Sequence, residues 1–203
     1  MCYHSKQTAD AQTLQARFDA TVETDASISS PYYNGFSYPN TPVITNTDQK
    51  IIQLYSWGLL PSWSKDQSFR KNLLNAKIET ITTLASFKNN VKNRCLILAD
   101  GFFEWQWLDP AGKKKQKYLL ELQKGEPFAF AGIYSPWADK STGEIINSYS
   151  IVTTEANKLM AEIHNNKKRM PVILSRENEK LWLNGNDVMQ FALPEIELKA
   201  TPI

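Results

Sequence analysis

The chain has 203 residues, of which 42% are hydrophobic and 22% are charged. This is the profile of a globular chain that is long enough to bury a core, and it excludes an intrinsically disordered protein. The net charge is only +2, so an anionic partner has to be bound by a local basic patch rather than by the molecule as a whole.

The lack of targeting signals and the small number of cysteines further restrict the class of protein. No signal segment opens the chain and no apolar run approaches the ~18 residues of a membrane span, so we expect a cytoplasmic protein without a membrane partner. The two cysteines, Cys2 and Cys95, form no CxxC pattern. This excludes a disulfide framework at this length, and we expect neither a metal site nor a cofactor.

The first half of the chain carries signals for two helices and one strand. In chain order, we predict an amphipathic helix over residues 9–18, an irregular loop over 26–42 that carries Tyr32, Tyr33 and Phe36, a strand over 53–60 that Pro61 stops and that delivers Trp63 to the surface, and a long helix over 68–92.

The second half is richer in strand signals. We predict a buried strand over residues 94–107, a solvated lysine-rich loop over 113–117, a hairpin of 117–122 with 128–137, a strand over 147–154, and helices over 157–163, 175–182 and 187–191. Strands at hairpin spacing with a few helices predict an α+β fold with a curled, mostly antiparallel, barrel-like sheet. No linker or repeat interrupts the chain, so we expect a single domain over residues 1–203.

The start of the chain offers a specific chemistry. If Met1 is removed, Cys2 carries an α-amine and a thiol on adjacent carbons. Such a 1,2-aminothiol attacks an aldehyde first through nitrogen, giving a Schiff base, and then through sulfur, giving a thiazolidine ring. The amine titrates near ~7.7–8.0 and the thiol near ~8.5, so both are partly nucleophilic at neutral pH. The alternative is a chain terminus without a chemical role.

Glu104 and His164 are the other candidate reactive groups. Glu104 stands between Phe103 and Trp105 in a predicted buried strand. Strand alternation leaves open whether its carboxyl faces solvent or the core, and in the core desolvation would raise its pKa. His164 lies between a predicted helix and a predicted strand, where a histidine is either a packing residue or a catalytic one.

Several segments in combination resemble the SRAP family, the SOS response-associated peptidases that are also described as abasic-site processing proteins. These segments are Met1-Cys2, 57–63 (WGLLPSW), 75–80 (NAKIET), 94–95 (RC), 100–105 (DGFFEW), 131–134 (AGIY) and 153–174. The resemblance covers most of the chain, to about Trp182.

The resemblance implies that Met1 is removed and that Cys2 then bonds covalently to the aldehyde of an abasic site in single-stranded DNA, giving a thiazolidine crosslink that protects the damaged strand. By position, Cys2 matches the family's nucleophile, Asn75 its active-site amide, Glu104 its acid/base and His164 its catalytic histidine. We expect a monomer that is associated with the nucleoid when it is bound to DNA.

A DNA ligand gives further residues a role. We expect His4, Lys77 and Arg169 to meet phosphates, Trp63 to stack on a base or open a junction, and Thr153 to be a polar residue of the pocket.

The chain departs from the family pattern in three places. His4 and Lys77 stand where many members have arginine, Phe103 replaces a frequent tyrosine, and residues 165–168 form a longer link after His164. The departures put the phosphate contacts and the geometry after His164 in question.

Three functions remain open from the sequence. The first is capture of abasic sites through Cys2, which the resemblance and the aminothiol chemistry both favour. The second is a cysteine-type peptidase with Cys2 as the N-terminal nucleophile. The third is a non-catalytic module that binds single-stranded or modified DNA, and such a module would tolerate loss of the Cys2 thiol.

Overall fold

The structure of the protein is a computed structural model that describes residues 2–23 and 27–203. The strands are β1 (His4–Gln7), β2 (Thr21–Val22), β3 (Ser30–Asn34), β4 (Asn40–Thr45), β5 (Ile51–Trp57), β6 (Asn75–Lys77), β7 (Arg94–Ala99), β8 (Gly101–Trp107), β9 (Lys115–Leu122), β10 (Phe128–Ala138), β11 (Ile145–Glu155), β12 (Arg169–Pro171), β13 (Ile173–Leu174) and β14 (Leu198–Pro202). The helices are α1 (Ala11–Phe18), α2 (Lys158–Ile163) and α3 (Arg176–Leu183), with 3-10 turns at Gly35–Ser37, Gln67–Asn72, Lys88–Asn90 and Val188–Phe191. Within these described ranges, every helix is too short or too polar to cross a membrane.

Five strands close into a barrel. They follow the order β11, β10, β7, β4 and β5, with antiparallel neighbours throughout. The ring is completed where β5 returns to β11 in a parallel pairing of Ser56 with Ser148 and of Trp57 with Tyr149. Closure pairs strand edges that would otherwise be open. The predicted α+β fold with a curled, mostly antiparallel sheet is therefore confirmed.

The barrel wall separates two hydrophobic clusters. Along β7, Cys95 and Ile97 belong to one cluster, whereas Leu96 and Leu98 belong to the other, together with Trp182 of α3. This is the alternation that a strand buried on both faces requires. Helices α1 and α3 pack on the outer face, whereas the buried residues of α2, Met160 and Ile163, belong to the cluster of Cys95 and Ile97.

A second sheet brings the start of the chain to Glu104. Its strand order is β14, β9, β8, β1 and β3. β8 lies in the middle, with His4 of β1 opposite Phe103 and Lys117 of β9 opposite Trp105. Because β1 pairs directly with β8, Cys2 is placed next to the strand that carries Glu104.

The long helix predicted over residues 68–92 is wrong. Short 3-10 turns occupy its two ends, and β6 between them pairs in parallel with β11. Residues 80–83 are all β-branched, and such side chains lose rotamer freedom in a helix. The backbone finds its partners elsewhere, because the N–H of Ile78 donates to the carbonyl of Thr153 at 2.9 Å.

The predicted strand over residues 94–107 is two strands. The break falls at Asp100, whose carboxylate accepts hydrogen bonds from the backbone N–H groups of Thr8 at 2.7 Å and Ala9 at 3.1 Å. At this point the chain leaves the barrel as β7 and enters the second sheet as β8.

The predicted hairpin of residues 117–122 and 128–137 is also wrong. Both strands exist, but β9 pairs with β8 and β14, whereas β10 pairs with β7, β11 and β13. Phe128–Ala138 is buried at almost every position, and such a strand requires cover on both faces. Most residues of β9 are only half-buried. This strand joins the second sheet, so β9 and β10 lie in different sheets.

Other predicted boundaries need smaller corrections. The loop predicted over residues 26–42 contains β3 and the start of β4, while its first residue, Ala26, lies outside the described residues. The strand predicted over 53–60 ends at Trp57, because Gly58 adopts φ 105°, which favours glycine. The helices predicted over 9–18, 157–163 and 175–182 are confirmed as α1, α2 and α3. The one predicted over 187–191 is a 3-10 turn.

Candidate active site

Cys2 is buried immediately before β1. Its Sγ lies 3.7 Å from the carbonyl oxygen of His4, and its own carbonyl accepts a hydrogen bond from Nδ2 of Asn75 at 2.8 Å. Burial, and then the nearby charge of Glu104, raises the pKa of the Cys2 thiol well above its ordinary value. Met1, whose removal the sequence leads us to expect, lies outside the described residues.

Asn75 is fixed by the strand pairing around it. It begins β6 and lies opposite Ile151 of β11. The preceding carbonyl, that of Leu74, accepts hydrogen bonds from the N–H of Ile151 at 3.1 Å and from Nε1 of Trp57 at 2.9 Å. Oδ1 of Asn75 is buried and has no hydrogen-bond donor in the described part of the chain. The amide therefore holds Cys2 by one end and can accept from an incoming N–H group by the other.

Glu104 is buried, with only 4% of its surface exposed. This decides the alternation in favour of the core. Burial raises the pKa of its carboxyl to about 7, although the backbone N–H of Trp105 opposes the shift. A carboxyl that titrates near neutral pH is present in both its acid and base forms and can move protons in either direction.

His164 follows α2 and faces Glu104. Its Nε2 lies 4.0 Å from Oε2 of Glu104, and its Nδ1 lies 2.8 Å from the carbonyl oxygen and 3.1 Å from the backbone nitrogen of Arg169. Burial lowers the pKa of His164 to about 4, so the imidazole is neutral at neutral pH. The link over residues 165–168 turns back at Lys168, which has φ 49° and donates its N–H to the His164 carbonyl at 2.8 Å.

The structure thus brings the four predicted catalytic residues into one cluster. Cys2, Asn75, Glu104 and His164 come from the start of β1, from β6, from β8 and from the end of α2. Glu104 and His164 open onto a cleft of about 120 Å³ that is lined further by Tyr3, Trp105, Trp107, Asn166 and Lys167. The cluster combines a thiol, an amide, a carboxyl that titrates near pH 7 and a neutral imidazole, which together suit addition of a nucleophile to a carbonyl carbon.

A second group of predicted residues lies where β6, β11 and β12 meet. Lys77 is exposed and lies opposite Thr153. The guanidinium of Arg169 forms a bidentate ion pair with Glu79, at 2.6 and 2.9 Å, and donates to the carbonyl of Thr153 at 2.7 Å. Sequence reasoning gave Glu79 no role, although it belongs to the NAKIET segment. Arg169 therefore lies near the candidate active site, and its guanidinium is already paired with the Glu79 carboxylate.

His4 and Trp63 lie apart from both groups. Nδ1 of His4 lies 2.7 Å from the hydroxyl of Tyr32, and its ring lies 4.8 Å from that of Trp105. Trp63 follows β5 in a loop, where the residue is 48% exposed and its ring packs edge-on against that of Phe69 at 5.3 Å.

The chain is similar to known proteins of one family. The family model described as SOS response associated peptidase (SRAP) matches residues 1–201. Over 157 residues the chain is 41% identical to the abasic site processing protein YoqW of Bacillus subtilis (strain 168), covering 76% of this chain and 67% of that one.

A longer relative and a solved structure are also similar to the chain. Identity to the abasic site processing protein HMCES of Pongo abelii is 28% over 196 residues, and the match spans 54% of that longer protein. An X-ray crystal structure of a protein from Bacteroides thetaiotaomicron superposes with a TM-score of 0.90 at 30% identity, covering all of this chain and 92% of that one.

Proposed function

The chain belongs to the SRAP family of SOS response-associated peptidases, and from this premise we propose that it captures abasic sites in single-stranded DNA covalently through Cys2, after removal of Met1. The observation that supports this most is the placement of Glu104, a buried carboxyl with a pKa of about 7, in one cluster with Cys2 and His164. The relatives that share 41% and 28% of their aligned residues with the chain are named as abasic site processing proteins.

The first step is addition of the Cys2 amine to the aldehyde of the ring-opened sugar. The nitrogen lone pair forms a C–N bond, the carbonyl electron pair moves to oxygen, and a proton passes from nitrogen to that oxygen. Oδ1 of Asn75, which is buried and lacks a donor among the described residues, accepts an N–H of the amine and directs its lone pair. Holding both reactants in one site makes the step effectively intramolecular.

The second step is loss of water from the carbinolamine. The departing hydroxyl needs a proton, which the acid form of Glu104 supplies, and the nitrogen lone pair then forms the C=N bond of a protonated Schiff base. A positioned acid of matched pKa accelerates such a step by ~10²–10⁴-fold. Glu104 is left as the carboxylate.

The third step closes the ring. Burial keeps the Cys2 thiol protonated at neutral pH, so sulfur needs a base before it attacks the imine carbon. The Glu104 carboxylate takes the thiol proton, the C–S bond forms, and the C=N electron pair returns to nitrogen, which keeps the proton that it already carries in the protonated Schiff base. The sum is aldehyde plus aminothiol giving thiazolidine plus water, and Glu104 returns to its acid form.

His164 acts as a neutral hydrogen-bonding group in this scheme. Its low pKa, about 4, keeps it uncharged, and the backbone of Arg169 fixes the ring through Nδ1. Nε2 is then directed toward the cleft, where it contacts the sugar oxygen during ring opening. We further propose Thr153 as a polar residue of the pocket, Lys77 as a phosphate contact, and Trp63 as the residue that stacks on a base.

The raised thiol pKa argues against the peptidase alternative. A cysteine peptidase that attacks with a preformed thiolate lowers the pKa of its cysteine. Burial shifts Cys2 in the opposite direction. Aldehyde capture tolerates this shift because the amine attacks first.

The test is to incubate the purified protein with a single-stranded oligonucleotide that carries one abasic site. We expect a denaturation-resistant adduct whose mass equals that of the protein without Met1 plus the DNA minus one water. Cys2→Ala should give only a Schiff base that borohydride traps, while Cys95→Ala, which removes the other buried thiol, should leave the adduct intact. A stable adduct from Cys2→Ala without borohydride contradicts the proposal, and binding of intact DNA without any adduct favours the non-catalytic module.

A further inference from the structure

The outer face of the second sheet carries interleaved basic and aromatic side chains, which we call the outer ladder. Its members are His4, Tyr32, Trp105, Trp107, Lys115 and Lys117. Trp105 lies opposite Lys117 and Trp107 opposite Lys115, and residues opposite each other in an antiparallel pair share one face. The lysine-rich run was predicted as a solvated loop, but β9 begins within it.

The ladder is continuous. Nζ of Lys117 lies 4.3 Å from the ring centroid of Phe103, 4.9 Å from that of Tyr32 and 5.7 Å from that of Trp105. Nζ of Lys115 lies 5.3 Å from the ring of Trp107. The ladder therefore holds two cations at defined positions beside aromatic rings. Tyr32 is 42% exposed, and its ring stacks on that of His4 with the centroids 5.1 Å apart.

The two lysines lack a counter-charge of their own. No carboxylate of the described residues forms an ion pair with Lys115 or Lys117. By contrast, Lys6 on the same sheet is paired with Glu121 at 2.6 Å and with Asp100 at 3.6 Å. Aromatic ring faces attract a cation but do not neutralise it. This end of the sheet therefore presents net positive charge to an anionic partner.

The ladder is also continuous with the candidate active site. Trp105 and Trp107 line the cleft onto which Glu104 and His164 open. Successive residues of β8 alternate between faces, so Glu104 points to the core while its neighbour Trp105 belongs to the ladder. A polymer that leaves the cleft past the two tryptophans reaches Lys115 and Lys117 next.

We propose that the outer ladder binds the nucleotides that flank the abasic site in single-stranded DNA, with phosphates on Lys115 and Lys117 and a base against Tyr32. This inference rests on the proposed function. Single-stranded DNA repeats one anionic phosphate and one free base face per nucleotide, which matches interleaved cations and rings. An acidic peptide offers the charge without the repeated ring, and in a duplex the base faces are stacked on each other.

The test uses an intact thymidine oligonucleotide, so that it does not depend on the covalent step. Fluorescence anisotropy compares the double variant Lys115→Gln/Lys117→Gln with Lys113→Gln/Lys114→Gln, which removes the same charge from exposed lysines of the adjoining turn. We expect the ladder variant to bind about tenfold more weakly and its salt slope to fall by about 1.4, as two phosphate contacts on a single strand predict. The turn variant should change affinity less than about twofold.

A stacking variant separates rings from charges. Tyr32→Leu keeps apolar bulk but removes the ring, so we expect affinity to fall about fivefold with an unchanged salt slope. Lys115→Gln alone, at an exposed position, keeps the charge test valid if the double variant fails to fold. Equal affinity of the ladder and turn variants would overturn the inference, as would competition by polyglutamate as strong as that by the oligonucleotide.

A crosslinking experiment distinguishes failure of the ladder proposal from failure of the proposed function. The protein is given abasic oligonucleotides of about 3 or about 15 nucleotides at concentrations below saturation. Only the longer oligonucleotide is long enough, as an extended strand, to reach from the cleft across the ladder. We expect the wild type to react faster with the longer oligonucleotide, and the ladder variant to lose that advantage but to keep its rate with the shorter one. Absence of any adduct would refute the proposed function while the binding of intact DNA still tests the ladder.

Discussion

Glu104 is the residue whose burial most directly links stability to pH. Its pKa is raised from 4.5 to about 7, so between these values the folded state binds more protons than the unfolded state. The free energy of unfolding therefore falls as pH rises from about 4.5 to above 7, by a total on the order of 3 kcal/mol. Glu104→Gln does not titrate, so we expect its stability relative to the wild type to increase by about 2 kcal/mol between pH 5 and pH 8, measured by chemical denaturation.

The stability contribution of His164 depends on pH with the opposite sign and has to be removed from the comparison. Its pKa is lowered from 6.5 to about 4, so the unfolded state binds more protons in that range and stability rises with pH. Because Nε2 of His164 lies 4.0 Å from Oε2 of Glu104, the two groups titrate together, and the comparison is therefore made also in a His164→Gln background. A difference that stays constant from pH 5 to pH 8 would mean that the Glu104 carboxylate is solvated in the folded protein, and the acid/base role would lose its physical basis.

At the scale of elements, the ion pair of Glu79 with Arg169 joins β12 to the segment that follows β6. The same Arg169 holds the His164 ring through its backbone, at 2.8 and 3.1 Å from Nδ1. In Glu79→Gln the guanidinium loses its charged partner and β12 is held less firmly. We expect the rate of adduct formation at saturating abasic DNA to fall about tenfold, because small displacements of a positioned group have large effects on rate. Intact DNA should bind more tightly, since Arg169 is freed for a phosphate.

A slower reaction combined with tighter binding would not follow from a general loss of structure. Glu126→Gln is the matched control, because it removes an exposed ion pair with Arg176 at 2.9 Å and should change neither quantity. Glu79→Asp retains the charge and should recover part of the rate. If Glu79→Gln alters neither rate nor affinity, the ion pair does not position His164.

The same elements show how far the sequence could lead. Local signals sufficed for α3, where Ser175 accepts from the N–H of Asn178 at 3.3 Å, and for the residue types of the active site. They failed for β6, because its parallel partner β11 lies about 75 residues away along the chain and strand pairing is not a local property. The ion pair of Arg169 with Glu79 also joins residues far apart along the chain. The family motifs contain both residues, but the sequence does not show that they are in contact.

At the scale of the molecule, the barrel wall couples the two hydrophobic clusters, and we propose that residues 1–203 unfold as one unit. Nε1 of Trp182 donates to the carbonyls of Cys95 and Gly132 at 3.2 Å each, which ties α3 to the wall from outside. Inside, the wall is tight at Gly132, where an added Cβ would lie 2.5 Å from Cδ1 of Ile97 and 2.8 Å from Sγ of Cys95. A disturbance at this glycine therefore reaches both clusters.

Gly132→Ala should destabilise the protein by about 1–3 kcal/mol, the usual cost of overpacking a core. Because both clusters share the wall, tryptophan fluorescence and far-ultraviolet circular dichroism should report one coincident transition at a lower denaturant midpoint. Adding Ile97→Val removes the Cδ1 atom that makes the closest contact, and the double variant should recover part of the loss. Two separate transitions would show that the barrel interior and the helical face unfold independently. Failure of Ile97→Val to restore stability would place the strain at Cys95 instead, since its sulfur is the next atom that the new methyl group meets.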